Sequence, residues 1–281
     1  MTPDMTVIIT GILVAVSCGL IGLFLILRQN AMLGDAISHS ILPGLVLAFL
    51  ITGSRNVLPM FIGAGVVGVL TAFITETISK TERVYKDAAL GIVFTTLFAI
   101  GVILVSIFTG EIDLDQECVL YGEITYVHWD RLIMFGLDIG PRAPVILAAI
   151  LIIDILFIFL FFKQLKITSF DPQFADSLMI SSKKWHYILM IFVSMTVVAS
   201  FESVGAILVI AMLILPGATS FLLTTKLLPM LLLSALFGTL SALGGYYCAS
   251  LLDTSISSSI AVFGGIIFFI IFLIKSVVRT N

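Results

Sequence analysis

The chain has 281 residues, of which 60% are hydrophobic and only 11% charged, with a formal net charge of −3. An ordinary soluble domain is about a quarter charged, so this chain cannot clothe a water-facing surface. A soluble enzyme, a disordered regulator and a basic nucleic-acid binder are excluded, and at about 20 apolar residues per membrane helix the chain has room for many spans and little else.

Met1 to Thr6 holds no Lys or Arg, so the first apolar run lacks the basic flank of a cleaved signal peptide and is read as a retained span. Apolar runs follow in order: Val7 to Leu27, Ala31 to Thr52, Val57 to Ile78, Ala88 to Thr109, Pro144 to Phe162, Trp185 to Ala199, Val204 to Leu223, Leu227 to Leu252 and Ser257 to Ile274. They are continuous rather than alternating, which selects helices over a barrel. The Trp185 run is short and also fits a re-entrant segment, so eight or nine spans are expected. The expected fold is an all-α polytopic membrane protein with a single membrane domain over residues 1–281. Cys18, Cys118 and Cys248 are far apart and suggest no disulfide framework. No GxxxxGK[ST] phosphate loop is present, so any ATP-driven work needs a partner motor.

Basic residues orient the spans. With nine spans and the N-terminus outside, the inner side receives 11 of the 14 Lys and Arg residues and the outer side three, Arg55, Arg131 and Arg142. The outer segment from Gly110 to Arg142 is acidic, with Glu111, Asp113, Asp115, Glu117, Glu123, Asp130 and Asp138. It is read as a solvated loop that doubles as a docking face or cation attractor.

Ionisable side chains inside spans are costly and mark candidate sites. Asp35 and His39 are four residues apart, hence on one helix face. A carboxylate and an imidazole together suit Mn²⁺, Zn²⁺ or Fe²⁺, whereas Mg²⁺ and Ca²⁺ prefer oxygen alone. The other reading is that Asp35 caps a helix and bonds to His39. Two ligands do not close a metal site, so other helices or a second copy must add more. Pro43 and Gly44 follow directly and can interrupt the helix, freeing carbonyls toward a cavity. A second candidate is the inner segment Phe170-Asp171-Pro172-Gln173-Phe174-Ala175. Asp-Pro should open a short helix, with Phe174, Leu178 and Met179 as an apolar stripe. That stripe fits either a groove on a partner or the lipid interface. Glu202 lies at an outer turn, as solvation or as a point where cations are admitted, and Pro216 should kink or break its span. Glu76 is expected near water at the inner end, Asp154 mid-span facing protein, and His128 and His186 as interfacial belt residues beside Trp129 and Trp185.

Several of these motifs together resemble the manganese/zinc/iron-type ABC transporter permeases. They are Leu27-Arg28 through Gly34-Asp35-Ala36-Ile37-Ser38-His39-Ser40-Ile41-Leu42-Pro43-Gly44, then Lys86-Asp87-Ala88-Ala89-Leu90-Gly91, Ser169-Phe170-Asp171-Pro172-Gln173-Phe174-Ala175, and Val204-Gly205-Ala206 with Leu215-Pro216. They occur in the family's order and cover nearly the whole chain. The resemblance implies a type II importer-like permease in a bacterial inner membrane, without enzymatic activity or a permanently bound cofactor. A divalent metal ion would be its substrate. It further implies cytoplasmic ATPase subunits, a second permease subunit and an extracytoplasmic metal-binding protein as partners. Asp35 and His39 match the family's metal-pathway residues, while Phe170, Asp171, Pro172, Phe174 and Ala175 match the helix that couples to the ATPase. Pro43, Glu202 and Pro216 are further pathway candidates. The segment Asp253 to Ser259 departs from the Gly-Pro that many relatives carry, so no role is transferred to it.

The nearest rival is a secondary, ion-coupled divalent cation transporter. The Phe170 to Leu178 segment discriminates, since such a transporter has no use for an ATPase socket. An intramembrane zinc protease would need an HExxH helix, and none of the three histidines has that context. A purely structural subunit would leave Asp35 and His39 as unexplained polar cost. The basic asymmetry makes a testable topology: a cysteine placed at Glu117 should react with impermeant reagents from outside and one at Lys183 should not. The reverse labelling pattern overturns the orientation.

Overall fold

The computed structural model describes residues 3–53, 57–81, 84–108, 124, 127–129, 131–134 and 137–280. In chain order the elements are α1 (Pro3–Leu27), α2 (Met32–Ser40), α3 (Leu42–Thr52), α4 (Val57–Ser79), α5 (Lys86–Phe108), β1 (Arg131–Met134) and β2 (Leu137–Pro141). They continue as α6 (Arg142–Leu160), α7 (Phe162–Phe170), α8 (Pro172–Ser177), α9 (Ser182–Val204), α10 (Ala206–Leu223), α11 (Leu227–Leu252) and α12 (Ile256–Thr280). Among the described residues nine helical stretches are long and apolar enough to cross a membrane, with α2 and α3 forming one of them.

The eight or nine spans expected from the sequence resolve to nine among the described residues, because the Trp185 segment lies in a full span of 23 residues rather than a re-entrant one. Lys183, Lys184 and His186 lower hydropathy at its start without ending the helix, and Ser181 caps it by accepting from the Lys184 amide at 3.4 Å. The fold is all-α as expected, with one short hairpin beside the helices. Arg131–Met134 and Leu137–Pro141 pair antiparallel within the segment expected to be a loop, with an irregular register between Leu132 and Ile133. Most of the acidic cluster, Glu111 to Glu123, lies outside the described residues.

The core is organised around α1, whose Val14, Ala15, Cys18, Ile21, Leu23 and Phe24 are completely buried. This helix packs against α6, α10 and α11. The approach to α10 is at backbone distance: a Cβ on Gly22 would collide with the Leu213 carbonyl, and one on Gly217 would lie 3.2 Å from the Leu23 Cα. Small residues permit such contacts where lipid offers no hydrophobic driving force between helices. At the periphery, Val262, Ile266, Phe269 and Leu273 of α12 are exposed with helical spacing, as are Ile92, Ile100, Ile103 and Ile107 of α5. Such faces suit hydrocarbon or another membrane subunit.

Hydroxyls within spans bond back to their own helix, as Thr10 does to the Thr6 carbonyl at 2.7 Å and Thr219 to that of Leu215 at 2.7 Å. Among the described residues the one deeply buried acid is Asp154, which is 1% exposed. It faces protein, as expected, and accepts from the Thr196 hydroxyl at 2.9 Å.

The Gly22 contact can be tested against an open glycine. Gly22→Ala should destabilise the purified chain by about 1–3 kcal/mol through overpacking. Gly265→Ala, where a Cβ meets nothing within 4 Å, should be neutral or slightly stabilising. Thermal unfolding in detergent compares the two, and equal midpoints would remove the weight given to the α1–α10 contact.

Candidate functional site

The nine residues of α2 bury one face and leave the other accessible. Leu33, Ala36, Ile37 and Ser40 turn inward, while Asp35 and His39 remain partly exposed one helical turn apart. His39 Nε2 lies 3.3 Å from Asp35 Oδ1, with side-chain exposures of 32% and 28%. Phe94 and Phe98 of α5 wall the imidazole, with ring centroids at 6.0 and 6.3 Å.

Local packing fixes this helix. Gly34, next to Asp35, accepts the Leu213 side chain of α10 into the space a Cβ would occupy. Ser38 donates to the Gly34 carbonyl at 2.9 Å, and Ser40 shares a 2.6 Å hydrogen bond with Thr71 of α4. The helix is interrupted at Ile41 (φ −70°, ψ −20°), immediately before Leu42-Pro43. Pro43 has no N–H for the His39 carbonyl, which explains an interruption at this point. Gly44 and Gly63 then meet backbone to backbone, joining α3 to α4. Among the described residues no three His, Cys, Asp or Glu side chains converge to hold a metal. Asp35 and His39 are a carboxylate–imidazole pair on the accessible face of α2, too few by themselves to close a metal site.

The second candidate segment forms as the sequence suggests. Asp171 is the N-cap of α8, its carboxylate accepting from the Phe174 amide at 2.9 Å, and Pro172 occupies the first turn. Phe170, Phe174 and Leu178 are about half exposed, and Met179 is 97% exposed with a positive φ of 59°. Ala175 differs: it is completely buried within the chain and does not belong to the outward apolar face. Asp176 accepts from the Ser182 amide at 2.8 Å and ties this short helix to the start of α9.

The remaining candidates are more scattered. Glu202 forms an ion pair with Arg142 at 2.7 Å, linking the ends of α9 and α6 far from α8. Pro216 is buried inside α10, which runs through it without a break. His186 is not a belt residue: its Nε2 lies 3.7 Å from Glu76 Oε2, and Glu76 also bonds to Lys80 at 2.6 Å. Sequence reasoning missed this cluster because Glu76 and His186 are 110 residues apart. The only local signal is the Glu76–Lys80 spacing.

The model of the ABC 3 transport family matches residues 4–275. Over 267 residues the chain is 52% identical to the manganese transport system membrane protein MntD of Bacillus subtilis, covering 95% of this chain and 90% of that protein. It is 40% identical over 269 residues to the zinc transport system membrane protein TroD of Treponema pallidum, covering 96% and 73% respectively. Among solved structures, PsaBC from Streptococcus pneumoniae in complex with Fab aligns with a TM-score of 0.80 at 33% identity, over 97% of this chain and 91% of that one. A family match across nearly the whole sequence, on a bundle of nine candidate spans, places this chain in the ABC 3 transport family as a membrane-spanning permease subunit.

Proposed function

We propose that this permease carries a divalent transition metal ion, manganese, zinc or iron, into a bacterial cell, with Asp35 and His39 as ligands in the pathway. The observation that carries the reading is the 3.3 Å carboxylate–imidazole pair on the open face of α2. The manganese and zinc transport relatives support the class of substrate. The carboxylate offsets the charge of a dication in low dielectric, and the neutral imidazole supplies the nitrogen that borderline metals favour. A second permease copy presenting the same face would complete the shell with a further carboxylate and imidazole. Power comes from a cytoplasmic ATPase subunit seated on the exposed apolar side chains of α8, and an extracytoplasmic metal-binding protein delivers the ion. The metal is substrate throughout, not a resident cofactor.

The metal reading is tested by uptake into vesicles holding the assembled transporter and its delivery protein. Asp35→Asn, similar in size but uncharged, should lower uptake by more than ~10-fold, as loss of a ligand does. His39→Asp converts a mixed site into an oxygen site and should weaken Zn²⁺ transport more than Mn²⁺ transport. If the pair only stabilises the helix, both variants will lose folded protein yet transport normally per surviving molecule.

The ATPase reading is tested on α8. Phe174→Ala removes an exposed anchor and should cost about 2 kcal/mol or more of ATPase association, uncoupling hydrolysis from uptake without loss of inserted protein. Ala175→Glu places a charge at a buried position and should instead reduce folded yield. Full transport and ATPase binding by Phe174→Ala would leave α8 as an interfacial helix only.

A further inference from the structure

At the end of the bundle that carries α7 and α8, a cavity of about 500 Å³ opens between the α1–α2 turn, the end of α4, the starts of α5 and α9, and the α7–α8 junction. Its lining is unequal in charge. Arg28, Lys86 and Lys183 contribute three cations, against the single carboxylate of Glu76. That carboxylate is already engaged by Lys80 at 2.6 Å and stands 3.7 Å from His186.

Arg28 is the least compensated of these groups. Its Nε donates to the Ser169 hydroxyl at 3.1 Å and its Nη2 to the Thr168 hydroxyl at 2.9 Å. Among the described residues no carboxylate pairs with it. Burial pushes its pKa down to about 10, the mark of a guanidinium removed from water without an opposing charge. Two further wall residues hold buried polar atoms without partners. Asn30 is 5% exposed and its Oδ1 is unbonded, and Thr75 is 1% exposed and its Oγ1 is unbonded. The Thr75 hydroxyl can donate to an incoming acceptor, whereas Asn30 Oδ1 is itself an acceptor. A cavity with excess positive charge, a guanidinium and an unused hydroxyl donor selects an anion with several acceptor oxygens. A divalent cation would gain Glu76 and His186 as ligands but would face three cationic side chains.

We propose that this cavity binds a phosphate group, held by Arg28, Lys86 and Lys183 and supplied either by an anionic lipid headgroup or by a soluble phosphate compound. The occupied site would bridge the turn leading into the Asp35 helix and the junction leading into α8. Phosphate binding there would thus clamp two segments that the fold otherwise joins through Arg28 and the two hydroxyls.

The test uses the full-length chain in phosphatidylcholine nanodiscs, with the thermal unfolding midpoint as readout. Three additions are compared: phosphatidylglycerol in the bilayer, sodium phosphate against sodium chloride at matched ionic strength, and Mn²⁺. Phosphatidylglycerol or phosphate should raise the midpoint, and whichever acts identifies the source. Lys86 and Lys183 are exposed, so Lys86→Gln with Lys183→Gln should fold and should lose most of the shift. The control pair Lys226→Gln with Lys275→Gln removes the same charge from exposed positions outside the cavity and should keep it. Arg28→Gln adds a third reading if it folds. The proposal is overturned if neither phosphate source raises the midpoint, if Mn²⁺ alone does so, if the cavity pair retains the full shift, or if the control pair loses it equally.

Discussion

Two apolar helices in lipid gain nothing by leaving the solvent around them, so their association rests on close fit and on polar groups. In this chain the decisive fit is between α1 and α10, where Gly22 meets the Leu213 carbonyl and Gly217 meets the backbone of Leu23. The consequence reaches the candidate site through one side chain. With its backbone pressed on α1, Leu213 projects its isobutyl group onto Gly34, the residue before Asp35. The close α1–α10 contact at Gly22 is thus passed on through the Leu213 side chain to Gly34, which helps set where the Asp35–His39 face of α2 stands.

Polar side chains in the bundle divide by whether their needs are met. Asp154 is buried with Thr196, many serines and threonines bond back to their own helices, and Ser234 and Ser257 donate across to the Gly19 and Val204 carbonyls. These bonds hold the fold together. Asp35 and His39 are partly exposed and stand 3.3 Å apart, with oxygen and nitrogen atoms accessible to a third party. The cavity near Arg28 shows the complementary surplus, of positive charge and of buried polar atoms without partners, and it is lined by the α1–α2 turn that leads into the Asp35 helix.

Elements governed by local chemistry were legible in the sequence. Continuous apolar runs gave the spans, and Asp171-Pro172 gave the start of α8 because a cap and a first-turn proline act over three or four residues. The Asp35–His39 geometry followed from helical periodicity alone. What could not be read depends on which elements become neighbours. The pairing of Glu202 with Arg142, the inward turn of Ala175 and the meeting of Glu76 with His186 all require the tertiary arrangement. The Trp185 span was underestimated for another reason: its first turn lies among lysines, and hydropathy registers side chains while the helix is held by its backbone.

The junction at Ile41 also bears on the backbone. Because Pro43 has no N–H, the His39 carbonyl lacks the donor that residue 43 of an ordinary helix would supply, although Ile41 keeps helical torsions of φ −70° and ψ −20° and α2 and α3 run on as one span. His39 thus combines an imidazole nitrogen on the open face of α2 with a main-chain oxygen that the proline leaves without its ladder bond.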